Sequence, residues 1–118
     1  MQQQIEKLLK DIVTDYRNWQ GLSVKSRGKD DYSDVQNEMY AEFKEQLGFR
    51  EGTKYIKITK KNGGSVWGFV VNTDNDKKFR KGDILKAAGY NAPARNAARG
   101  NILDGGYKID WTGPLYLK

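Results

Sequence analysis

The spacing of apolar residues changes partway along the chain, and that change constrains the fold more than any other feature. Ile5, Leu8, Leu9, Ile12, Val13 and Tyr16 recur at helical intervals, with Trp19 extending the stripe. From residue 54 the period drops to two. Lys54-Tyr-Ile-Lys-Ile-Thr-Lys60 alternates, Asn62-Gly63-Gly64 supplies a tight turn, and Ser65-Val-Trp-Gly-Phe-Val-Val71 returns. The second strand is apolar on both faces, so it is expected at the centre of a sheet. Gly68 within it marks a bulge or a close backbone approach. Helices followed by hairpins make an α+β fold. A chain of 118 residues has room for one such domain, spanning 1–118.

The first helix is expected over 1–19, closed by Gly21. Residues 20–33 read as a loop in which Lys25, Arg27 and Lys29 form either a solvated linker or a phosphate-touching arm. Ser33 and Gln36 make a capping-box pattern that starts a second helix over 33–48. Its inner face is Val35, Met39, Tyr40, Phe43 and Leu47. Asp34, Glu38, Glu42 and Glu45 fall within about 80° on its outer face. Such a stripe is either an ordinary solvated surface or a protein-binding one that attracts a basic partner.

Past the hairpin, Asn72–Gly82 is a charged connection. Asp83 and Asn91 look like N-caps of two short helices, giving a helical insertion at about 83–99. Residues 101–111 read as a hairpin around Asp104-Gly105-Gly106, with Tyr107, Ile109 and Trp111 on one face. Leu115–Leu117 would be a final strand. Two N-terminal helices thus pack on a small antiparallel sheet.

Charge divides along the same boundary. Residues 1–53 carry 8 Lys+Arg against 10 Asp+Glu, and residues 54–118 carry 13 against 5. The halves are net −2 and +8, together the chain's +6. A basic half implies a polyanion or an acidic protein surface as partner. With no Cys and no His, disulfides, thiolate nucleophiles, His-based triads and Cys/His zinc sites are excluded. No stretch carries a P-loop, dinucleotide or EF-hand spacing. The protein is expected to be non-enzymatic, to use no cofactor or metal, and to lack a membrane span or signal peptide, so its location is read as cytoplasmic.

The candidate nucleic-acid-binding set is Lys77, Lys78, Arg80, Lys81, Lys86, Arg95 and Arg99, with Tyr90 as a stacking residue. Cations interleaved with an aromatic suit backbone tracking along a nucleic acid. The same run also reads as a solvated charge cluster, and Arg95 as a partner of Asp83 or Asp110. Trp67, Phe69, Tyr107, Trp111 and Tyr116 are expected mainly in the core, with Tyr90 exposed.

The stretch from Lys77-Lys-Phe-Arg-Lys-Gly-Asp83 through Asn101-Ile102, ending in Trp111-Thr-Gly-Pro-Leu-Tyr116, resembles small accessory proteins of tailed bacteriophages. The likeness covers residues 54–118. It implies expression in a bacterial cytoplasm and a binding role, on nucleic acid or on a host protein that it would inhibit. Self-association through the oppositely charged halves is a related expectation.

Overall fold

A computed structural model describes residues 1–115. Two helices, α1 (Gln2–Ser26) and α2 (Asp34–Gln46), precede an antiparallel sheet. The sheet order is β1 (Gly48–Glu51), β2 (Tyr55–Lys60), β3 (Ser65–Val71) and β4 (Ile84–Leu85). Two small hairpins follow, β5 (Ala87–Gly89) with β6 (Ala92–Pro93), and β7 (Ile109–Asp110) with β8 (Gly113–Pro114). The architecture is the expected α+β one.

Alternation on β2 divides the sheet into two faces. Ile56 and Ile58, with Val70 and Ile84 on neighbouring strands, meet Ile5, Leu8 and Ile12 of α1 in the main core. Phe69, Val71 and Leu85 point the other way, onto Phe79. Trp67 closes the main core and donates its indole N–H to the Asp110 carbonyl at 2.8 Å. β3 is central, as its continuous apolar run requires. Both expectations for Gly68 hold. The β2–β3 register shifts between Ile58 and Thr59, and a Cβ on Gly68 would meet Leu85 O and Pro114 at 3.0 Å.

Several boundaries differ from those expected. α1 does not stop at Gly21 but continues to Ser26, with Gln20 and Val24 buried. Gly21 instead admits Tyr32, whose hydroxyl bonds the Arg17 carbonyl at 3.3 Å. The left-handed residue that ends the helix is Gly28, at φ +67°, while Lys29 N–H caps Val24 O. The expected 20–33 arm therefore shrinks to a short connection. Gln20 and Gln36 clamp its two flanking helices, each amide donating to the other residue's carbonyl. The capping box at Ser33 is present. α2 ends at Gln46 rather than at 48; Leu47 is already extended, and Gly48 opens edge strand β1.

The helical insertion at 83–99 is absent; β4, β5 and β6 occupy it. Ile84 and Leu85 are both fully buried, one on each face of the sheet, which a strand achieves and a short helix does not. Asp83 accepts from the N–H of Arg80 and from the Asn101 side chain rather than capping a helix. Pro93 turns its predecessor away from helical geometry, and segments this short hold a helix weakly. The hairpin at 104–106 is also replaced. Asn101 pairs with Asp83, and its side-chain oxygen accepts from Leu103 and Asp104 N–H. Tyr107, Ile109 and Trp111 do line one side of the core. The strand expected at Leu115–Leu117 lies largely outside the described residues.

Candidate nucleic-acid interface

The cations singled out by sequence do not form one open patch. Arg95 lies just past β6, outside any strand or helix, where its guanidinium makes two 2.9 Å bonds to Asp76 and a third to the Tyr55 hydroxyl. It pairs with neither Asp83 nor Asp110. The Asp76 side chain is only 5% exposed, and it also accepts from the N–H groups of Lys78 and Phe79. The Arg95 bond, then those two N–H groups, hold its carboxyl well below the usual carboxylate range. The same contact raises the Arg95 pKa. Lys78 donates to the Arg95 and Asn96 carbonyls at 2.6 and 2.9 Å. Arg80 pairs with Asp104. Arg99 donates to Asn96 and to the Ala97 carbonyl. Without the expected helix, Arg95 and Arg99 are not one turn apart on a shared face.

The Arg95–Asp76 and Lys78 bonds tie residues 76–78 to 95–96 beside the outer face of the sheet. Lys81 is half-buried beside Met1 and Ile5 in a separate recess. Lys86 is half-buried and donates to the Pro114 carbonyl. Lys77 is exposed and makes no side-chain bond among the described residues. Tyr90 is 43% exposed, as expected. Lys57 Nζ lies 4.0 Å from its ring centroid, and its hydroxyl bonds the Gly63 carbonyl.

Tyr90 leads to cations that sequence reading did not select. A row runs across the outer face from Arg50 to Lys57, Phe69 and Leu85. Loops cover its Phe69–Leu85 end. The Arg50–Lys57 end opens into a cleft of about 290 Å³ lined also by Lys54, Tyr55 and Asn91, with Glu51 as its one carboxylate. Lys57 donates to Asn91 at 2.6 Å. The side chains of Arg50 and Lys54 make no hydrogen bond or ion pair among the described residues. Like charges directly opposite on neighbouring strands destabilise a sheet, yet Arg50 and Lys57 are register partners. Strand alternation could have found this pair only once β1 was recognised beside β2. The acidic stripe of Asp34, Glu38, Glu42 and Glu45 is exposed on α2. Among the described residues, no cluster of three or more carboxylates is placed to hold a metal ion, and no helix is long and apolar enough to cross a membrane.

Fold and surface together define a small α+β protein with one cationic, partly aromatic sheet face. The chain belongs to a family of unknown function (DUF7717), which it matches over residues 1–117. No curated protein and no solved structure matches it.

Proposed function

We propose that this is a non-enzymatic nucleic-acid-binding protein that uses the open end of the outer sheet face. The observation that carries this reading is the Arg50–Lys57 pair, like-charged and in register, with Lys54 beside it and no carboxylate paired to either. A phosphate backbone supplies the missing counter-charge. Tyr90 adds an exposed ring on which a base can stack. Of the residues selected from sequence, Tyr90 keeps this role beside Lys57, whereas Lys78, Arg80, Arg95 and Arg99 chiefly hold the loops of the chain itself. The contacts read phosphate and stacking, so little sequence preference is expected. The role goes with a cytoplasmic location, and with a bacterial one if the phage-protein likeness holds.

Fluorescence anisotropy with labelled single-stranded DNA, duplex DNA and RNA, at low and near-physiological salt, tests the reading. Wild-type protein should bind with a steep salt dependence. Arg50→Glu with Lys57→Glu should lower the logarithmic salt slope by about 2. Unchanged affinity and slope in that double variant would overturn the assignment.

A further inference from the structure

Four of the seven large hydrophobic side chains that the described residues expose lie on the α1–α2 hairpin: Trp19 at 48%, Leu22 at 66%, Val35 at 62% and Met39 at 47%. α2 buries none of its residues, although its sequence is amphipathic. The reason lies in how it docks. Phe43 stacks flat on Tyr16, with centroids 4.3 Å apart, and Gln36 clamps Gln20. That contact uses the Gln36–Tyr40–Phe43 side of α2. It leaves the Val35–Met39 shoulder, a quarter-turn further round, facing outward.

Met39 of this shoulder, Trp19 and Trp111 bound a trough of about 330 Å³. Its floor is aromatic, with Trp111 edge-on to Tyr16 at 5.0 Å and tilted against Trp19 at 5.0 Å. At 100° per residue, Val35 and Met39 lie next to the arc of Glu38, Glu42 and Glu45. An apolar strip therefore runs along α2 with a carboxylate border on its outer side, and Glu42 itself lines the trough. Lys61 stands among the lining residues near Trp111. The outer α1 border is mixed in charge: Asn18 shares a recess with Asp11 and Asp15, Asp15 accepts from the Trp111 N–H at 2.8 Å, and Lys25 stands further along the helix.

We propose that this face docks a basic amphipathic helix from another protein. Its apolar side would fill the strip between Trp19 and Met39, and its Lys or Arg residues would meet Glu38, Glu42 and Glu45. Helix-in-groove recognition needs this combination of an elongated apolar floor and a charged rim. The rim sets the sign of the partner and speeds encounter, while the aromatic floor holds the complex. A phospholipid surface fits less well, because the same carboxylates would face anionic headgroups. The proposal is independent of nucleic-acid binding, since it uses neither Arg50 nor Lys57.

The probe is a fluorescein-labelled synthetic helix of about 18 residues, with Leu at i, i+3, i+4 and i+7 and Lys elsewhere. Two controls are a scrambled peptide of the same composition and a version with Glu in place of Lys. Wild-type protein should bind the Lys helix saturably and both controls at least about tenfold more weakly. Met39→Asp, and separately Val35→Asp, should each weaken binding by about tenfold or more while circular dichroism stays unchanged. Glu38→Lys, Glu42→Lys and Glu45→Lys together should turn the preference toward the Glu helix. Equal binding of the scrambled peptide, or full binding by Met39→Asp, overturns the proposal. So does light scattering that shows a dimer which Met39→Asp converts to a monomer, because a second copy would then be the occupant. Nucleic-acid anisotropy on the same variants reports separately on the basic face.

Discussion

The loops between residues 73 and 99 and the α1–α2 hairpin have exchanged the roles that their compositions advertise. The loops are rich in Lys and Arg, the residues expected to meet a ligand, and most of those groups are bound to the chain itself. Arg95 lies on Asp76, Lys78 on two carbonyls, Arg80 on Asp104. The hairpin carries an apolar stripe on each helix, expected to form core, and only α1 buries its stripe. Residue type reports what a side chain is able to do. Whether it remains available depends on which backbone groups and partners the fold brings within reach.

The largest effect that sharpens this contrast is in α1. Leu8 is fully buried between the helix and the sheet. Leu8→Ala should destabilise the chain by ~2–5 kcal/mol, measured by urea unfolding. A loss as small as that of a surface substitution would mean that α1, like α2, is only loosely seated.

Arg95→Glu should come next. It removes three hydrogen bonds and sets a carboxylate against the nearly buried Asp76. The expected outcome is a lower melting temperature, with faster amide exchange in residues 73–81 and 94–99. Lys77→Glu, by contrast, should leave both unchanged. If Arg95→Glu melts like wild type and instead loses nucleic-acid affinity, the loops do carry the binding cations and the comparison above fails.

How much of this was legible in sequence follows from the range of the interactions involved. Period and turn chemistry are local, so the α+β order, the β2–β3 hairpin, the buried central strand and the Ser33 cap could all be read from spacing. The 83–99 segment could not. Its Ala content favours helix, but Ile84 and Leu85 are fixed by pairing with Val70 and Phe69 on β3, contacts distant in sequence that override local propensity. The proposed interface was half legible for the same reason. The exposure of Tyr90 could be read from its Gly-Tyr-Asn context. The significance of Arg50 could not, because it arises only when β1 lies beside β2 in the register that sets that residue against Lys57.

A smaller effect is expected in acid. Asp76 titrates well below its ordinary 3.8, held down first by Arg95 and then by two backbone N–H groups. A carboxyl depressed in the folded state stabilises fully above its unfolded value, and that contribution fades as pH falls through the interval between the two. The melting temperature should therefore decline between about pH 4 and pH 2. Asp76→Asn should be less stable than wild type at neutral pH but decline less over that interval. Parallel declines would show that other carboxyls dominate acid unfolding.

The smallest effect is the sharpest test of the exposed shoulder. Val35→Ala removes apolar surface that is already in water, so it forfeits little burial and leaves no cavity. Ala is also the better helix former, because Val loses side-chain freedom against the preceding turn. Stability should stay within about 0.5 kcal/mol of wild type, and any change should be toward higher stability. Met39→Ala should behave alike. The corresponding change on α1, Leu8→Ala, removes a side chain from the same kind of amphipathic stripe and should be several times as damaging. If instead Val35→Ala destabilised by more than about 1 kcal/mol, its side chain would have to be packed within the isolated chain. The apolar shoulder would then be part of the core and closed to any partner helix.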